Sequence, residues 1–172
     1  MNSCMDVILT RSSVKKYLDK EVARELIDKV IEAGLAAASG RNLQAPIIVA
    51  VTNKEIRDAL SKANAAVMGA ATDPFYNAPV VLVVLADKSA HTYVYDGSLS
   101  LGNMMLEAHE LGLGSCWIHR AKEEFASEEG KEILRSLGIE GEYEGIGHLI
   151  LGYPAGEPKA AAPRRENRVY EI

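Results

Sequence analysis

Val80-Val81-Leu82-Val83-Val84-Leu85 is the strongest strand signal in the chain. It is β-branched and apolar throughout, and it shows no alternation of polar and apolar positions, so both faces of the strand are expected to be covered. A layered domain with helices on either side of a sheet follows from that one stretch. Ile47-Ile48-Val49-Ala50-Val51, Ser115-Cys116-Trp117-Ile118 and His148-Leu149-Ile150-Leu151 read as further strands. Between them, 22–35 has Leu26, Ile27, Val30, Ile31 and Leu35 at helical spacing, with charged residues on the other face. Lys54–Met68 looks helical. Thr72-Asp73-Pro74 and Ala78-Pro79 interrupt any helix before the central strand. A helix capped by Asp96 or Ser98 should run to about Leu111 and stop at Gly112 and Gly114, and another should span Glu123–Leu137. Strands interspersed with helices imply an α/β or α+β domain.

The 172 residues suit one domain with a sizeable core. A formal net charge of −5 gives no general attraction to nucleic acid or an anionic membrane. No apolar run approaches the roughly 20 residues that span a bilayer. The start, Met1 to Asp6, lacks the charged-then-apolar order of a signal peptide. Cys4 and Cys116 make neither a metal spacing nor a disulfide framework, so a reducing cytoplasm is expected. From Gly152 the chain is rich in Pro, Ala and Gly and reads as extended, either mobile or laid across a partner subunit.

Four polar segments carry chemistry. Arg11-Ser12-Ser13-Val14-Lys15-Lys16-Tyr17 places Arg, Lys and hydroxyls within reach of one small anion; it also reads as a solvated basic turn. Ala38-Ser39-Gly40-Arg41-Asn42-Leu43-Gln44 offers donors and acceptors to the edge of a heteroaromatic ring, or is an ordinary polar loop. Gly112 to Arg120 puts Trp117 and His119 after two glycines that permit close backbone approach. Cys116 and His119 are three apart on a strand and face opposite ways, which argues against a nucleophile–base pair and for a core cysteine. Pro163-Arg164-Arg165-Glu166-Asn167-Arg168 is a second basic cluster at the far end of an acidic chain. The two clusters either stay solvated or converge on one anion.

Taken in this order, the segments resemble the nitroreductase family over nearly the whole chain. The resemblance rests on Arg11-x-Ser13-x-Lys15, on Ser39-x-x-Asn42-x-Gln44 with Ala45 before Pro46, and on Ala78-Pro79-Val80-Val81. It continues with Gly112-Leu113-Gly114-Ser115-Cys116-Trp117-Ile118, Gly152-Tyr153-Pro154 and Pro163-Arg164-Arg165. It implies an α+β, three-layer fold in which a mixed central sheet is flanked by helices, formed by residues 1–172 as one domain of an intertwined homodimer. Residues 153–172 would form an extended arm on the partner subunit. FMN would lie at the subunit interface, its phosphate held by Arg11, Ser13, Arg164 and Arg165, with Ser12 also among the cofactor-binding residues. Ala38, Ser39, Asn42 and Gln44 would come from the other subunit, and Trp117, Ile118 and His119 would line one face of the ring, with a backbone N–H near His119 directed at N5. Lys15 would stand near the N1/C2 carbonyl edge and raise the reduction potential.

The activity so implied is that of an NAD(P)H-dependent oxidoreductase. A transiently bound nicotinamide reduces the flavin at N5, and a nitroaromatic, quinone or other small acceptor reoxidises it in ping-pong order. No side chain need act as nucleophile or obligate acid, and no metal is called for. No Gly-x-Gly-x-x-Gly loop provides a separate dinucleotide domain. Two alternatives stand beside it: a flavin-binding protein of storage, sensing or flavin-fragmenting type without nitroreductase turnover, and a non-flavin dimeric interaction module.

Overall fold

The computed structural model describes residues 3–172; Met1 and Asn2 lie outside the described residues. The elements run α1 (Cys4–Thr10), α2 (Arg24–Leu35), a 3-10 turn (Gly40–Asn42), β1 (Pro46–Val51), α3 (Lys54–Met68), β2 (Val80–Asp87) and α4 (Tyr93–Glu110). They continue with β3 (Gly114–Ile118), α5 (Ala121–Ala126), α6 (Glu128–Ser136) and β4 (Tyr143–Gly152). The strands form one sheet in the order β1-β2-β4-β3, with each neighbouring pair antiparallel. The sheet, expected to be mixed, is antiparallel among its four strands; the parallel pairing described is an isolated bridge, Ser13 to Ser115, at the outer edge of β3.

The missing alternation of β2 has the expected cause. Val80, Leu82, Val84 and Ala86 pack with α2 and α4, whereas Val81, Val83 and Leu85 pack with α3, α5 and α6. None of these seven is more than 3 % exposed. Each such side chain contributes about 1.5–3 kcal/mol by leaving water, and the sheet becomes the middle of three layers.

Local chemistry sets the helix ends. The Asn53 side chain accepts from Ile56 N–H to start α3, and Gly69 at φ 68° ends it, so this helix has the bounds expected of it. α4 begins earlier than expected, at Tyr93. Asp96 is no cap: it lies inside the helix, 3 % exposed, and its carboxylate accepts from Gly40 N–H (3.1 Å) and Thr92 Oγ1 (2.9 Å). The helix expected over 123–137 is two, because Ser127 accepts from Gly130 N–H and caps a new start. α1, capped reciprocally by Ser3 and Asp6, carried no expectation from the sequence.

Two glycines of β4 admit neighbours that a side chain would exclude. A Cβ at Gly147 would lie 2.6 Å from the Trp117 indole nitrogen, and one at Gly145 would lie 2.2 Å from the Ala121 carbonyl. Trp117 therefore rests across β4, and α5 sits directly on the sheet.

Candidate functional site

The segment after α1 lies along the open edge of β3. Val14 N–H donates to the Ser115 carbonyl (3.0 Å) beside the Ser13–Ser115 bridge. The approach is close because residue 114 is glycine: a Cβ there would meet Val14 Cγ1 at 2.7 Å. Tyr17 closes the turn, its hydroxyl donating to the Val14 carbonyl at 2.6 Å. Burial pushes the Tyr17 phenol well above its usual range, with Cys116 and Tyr76 adding to the effect, so it stays a donor.

This clamped segment presents two buried donors. Arg11 Nη1 and Ser12 Oγ are both inaccessible to water and have no hydrogen-bond partner. A buried unpaired donor costs about 1–3 kcal/mol, more when charged, so such a pair marks a place for an anion. Ser13 and Lys15 are exposed beside them, and Lys15 Nζ stands 5.4 Å from the centre of the Tyr76 ring. Tyr76 and Asn77 both hold positive φ, 52° and 56°, in a turn whose N–H groups bond to Asp73. Non-glycine residues persist in that region only where their surroundings enforce it.

β3 supplies the adjoining wall. Ser115 uses its carbonyl on the outer edge, so the alternation of an antiparallel ladder turns the backbone of Trp117 and then His119 to the same edge. The N-terminal segment covers that edge only at Ser13 and Val14. Trp117 is half-buried and His119 exposed. Ile118, expected to line the ring face, is turned into the core at 6 % exposure and packs with Cys116 and Phe125. Cys116 is likewise a buried free thiol.

The Ser39 loop is preformed but apart from Arg11. Ser39 Oγ accepts from Gln44 N–H (3.0 Å), and Gln44 Nε2 donates to Asn42 Oδ1 (3.2 Å). Arg41, Asn42 and Gln44 all hold positive φ, between 52° and 55°, and Asp96 pins Gly40 from behind. Ala38, Asn42 and Gln44 are exposed. Within one chain no described contact joins this loop to the Arg11 segment. The same holds for the arm. It is tied to its own chain through Leu18 N–H to the Tyr153 carbonyl and Ala155 N–H to the Lys16 carbonyl. Beyond that, Arg164 and Arg165 are exposed, and their guanidinium groups make no ion pair among the described residues.

Sequence reasoning missed a set of polar residues behind the end of β3: Asn64, Arg120, Glu124 and His148. His148 could have been noticed as a lone polar residue in an apolar strand. Asn64 gave no signal, since its partners lie some 55 and 60 positions away. No group of acidic, His and Cys residues suited to a metal occurs among the described residues. Nor is any described helix long and apolar enough to cross a membrane.

The fold is thus a three-layer α+β domain in which buried cationic and hydroxyl donors lie beside an uncovered strand edge. The nitroreductase family profile matches residues 8–74 and 67–153, and the chain belongs to that family. A relative from Methanothermobacter thermautotrophicus, named as an NADH dehydrogenase/NAD(P)H nitroreductase, is 31 % identical over 159 residues, covering 90 % of this chain and 78 % of the relative. An FMN-dependent nitroreductase from Clostridium difficile has a TM-score of 0.76 at 31 % identity, covering 92 % of this chain and 91 % of its own. A nitroreductase from Bacteroides fragilis solved with bound FMN has a TM-score of 0.89, covers 100 % of both chains and is 24 % identical, a likeness of fold.

Proposed function

We propose that the chain is an NAD(P)H-dependent oxidoreductase with FMN as its cofactor, working as a homodimer on small electron acceptors such as nitroaromatics or quinones. The observation that carries this is the pair of buried, unpartnered donors, Arg11 Nη1 and Ser12 Oγ, in a segment clamped to an open strand edge. The donor set fits the group. A phosphate monoester accepts from Arg, hydroxyl and backbone donors together, and the outward-turned backbone of Trp117 and His119 suits the acceptor-rich edge of a flavin.

When bound, FMN supplies a two-electron acceptor that takes reducing equivalents from a nicotinamide and passes them on. The chain's own work is to bind and orient. Arg11, Ser12 and Ser13 hold the phosphate; Lys15 keeps a positive charge at the ring's carbonyl edge. Trp117 presents a flat apolar wall, and the backbone at His119 donates to the ring. Donor and acceptor would use one face of the ring in turn, in ping-pong order.

Dimerisation accounts for the residues that one chain leaves unused. Asn42 and Gln44 hold positive φ and Ser39 accepts from Gln44 N–H, yet the three touch nothing of the Arg11 segment. Arg164 and Arg165 end an arm whose Val169, Tyr170 and Ile172 are more than four-fifths exposed. A second copy would bring both sets to the crevice. Val94, Tyr95 and Leu99 on α4, all over two-fifths exposed, offer it an apolar face.

The test is the absorbance spectrum of the purified protein after incubation with FMN and gel filtration, then anaerobic addition of NADH or NADPH. A retained yellow chromophore bleached by one nicotinamide is the expected outcome. Retained flavin that neither donor bleaches would make the chain a flavin-binding protein without turnover. A colourless protein that takes up no FMN refutes the proposal.

A further inference from the structure

Behind the end of β3 lies a polar cluster that phosphate binding does not use. His148 on β4 is fully buried and Glu124 on α5 is 4 % exposed, with His148 Nε2 2.7 Å from Glu124 Oε2. His148 Nδ1 stands 3.4 Å from the Ile118 carbonyl. The Asn64 amide, also fully buried, donates to Glu124 Oε2 (3.3 Å) and to the His119 carbonyl (2.7 Å). Its oxygen accepts from Arg120 Nε at 2.9 Å. Phe75 and Phe125 close over the imidazole, their ring centres 5.1 and 6.5 Å away.

Stability alone gives no reason for this arrangement. Apolar residues of similar volume serve as well as a buried ionisable pair, and often better. What the cluster does secure is one stretch of backbone. Its contacts end on the carbonyls of Ile118 and His119 and on Arg120, which holds φ 78° and ψ 8°, a left-handed conformation that an L-residue keeps only under restraint. That stretch is the end of the β3 edge left uncovered by the N-terminal segment.

We infer that Asn64, Arg120, Glu124 and His148 form a positioning network that sets the backbone N–H groups at the end of β3 for the polar edge of the flavin, and so governs flavin affinity and redox behaviour without touching it. This rests on the FMN reading above. The four are positioning residues and make no contact with substrate. Asn64 is the hub, because it alone joins the carboxylate, the arginine and the His119 carbonyl.

Arg120→Gly tests it. Glycine adopts the left-handed conformation freely and loses more freedom on folding, two opposed effects of similar size, while the buried Asn64 oxygen loses its donor, so the urea midpoint should fall modestly. The expected result is an FMN dissociation constant raised about tenfold, as for one lost hydrogen bond in a buried network, with a changed visible band and midpoint potential of the bound flavin. Asn64→Leu, removing both arms at near-constant volume, should change the same three quantities further; should it not fold, Arg120→Gly decides. Wild-type affinity, spectrum and potential in Arg120→Gly overturn the inference alone, as does a weakened affinity with the visible band and midpoint potential of the bound flavin unchanged. A wild-type protein that takes up no FMN overturns the inference together with the function it rests on.

Discussion

Gly114→Ala should lift the N-terminal segment off β3, and the structure sets the size of the effect. The added methyl would lie 2.7, 2.8 and 3.0 Å from Val14 Cγ1, Cβ and Cγ2. Rotating Val14 cannot relieve a clash that involves its Cβ, and a β-branched side chain has few rotamers to offer. Overpacking of this kind costs about 1–3 kcal/mol, offset by somewhat under about 1 kcal/mol from the stiffer unfolded chain. If the segment moves instead, the Val14–Ser115 hydrogen bond goes, at about 0.5–1.5 kcal/mol, and Arg11 and Ser12 lose their placement. The urea midpoint should drop by the equivalent of roughly 1–2 kcal/mol, and FMN titrated by fluorescence should bind about tenfold more weakly. Val14→Ala alone removes two methyls from a site 8 % exposed, at about 0.8 kcal/mol each. In the double variant the contacts with Cγ1 and Cγ2 are relieved while the one with Cβ remains, so the two losses should fall short of additivity by about 1 kcal/mol and FMN affinity should recover in part. Wild-type affinity in Gly114→Ala, or losses additive to within about 0.5 kcal/mol, would refute the close approach as the device that aims the anion grip.

Lys15→Met should lower the flavin midpoint potential by roughly 30–60 mV, the two-electron equivalent of about 1.4–3 kcal/mol, with the urea midpoint unchanged; dye-linked anaerobic titration measures it, and an unaltered potential removes Lys15 from any electronic role. Arg164→Ala combined with Arg165→Ala should weaken FMN retention while leaving the urea midpoint unchanged, since neither guanidinium is paired in its own chain; equal flavin content after gel filtration would count against the arm. Asp73 should make stability depend on acidity. Burial alone would raise its carboxyl, but hydrogen bonds from Ser61, Arg57 and the N–H groups of Asn77 and Phe75 outweigh that and hold it below its ordinary value. With the folded pKa depressed, the unfolded chain binds the proton first on acidification, so the contribution is whole above about pH 5 and is lost as pH falls through 4 and below. The wild-type urea midpoint should therefore fall more steeply between about pH 5 and 3 than that of Asp73→Asn, and parallel profiles would refute it.

What the sequence made legible was what depends on neighbours in the chain. β2 could be read because burial on both faces leaves an unbroken apolar run, and α3 because Asn53 and Gly69 punctuate it locally. Asp96 misled because its side chain serves a contact with Gly40 across 56 positions rather than its own helix end. Ser127 was hidden inside an apparently continuous helical pattern whose spacing survives the break. The alternation that separates Cys116 from His119 also turns Ile118 inward, so its placement in the core was available from the same rule. The polar segments were legible as donors, but not their division between the Arg11 grip and the Ser39 loop, because that division lies in the tertiary arrangement. Asn64 was illegible for the same reason: in an alanine-rich helix nothing local distinguishes a buried asparagine from a solvated one.

The position of the crevice follows from how this sheet ends. An outermost strand with bare backbone groups is a template for unwanted pairing, and folds cover it, shorten it or charge it. Here β3 is kept to five residues, and one stretch of chain covers its first half. After Val14 that stretch turns back, its Tyr17 bridging to Pro154 beyond β4. The Tyr17 hydroxyl on the Val14 carbonyl closes the turn, and past the far end of β3 the His119 carbonyl accepts from Asn64. β3 is thus left with a short uncovered edge beside the segment in which Arg11 Nη1 and Ser12 Oγ are buried without partners. A planar, phosphate-bearing ligand, as the proposed function has it, would complete both, whereas neither the packing of the core nor the capping of the helices requires them.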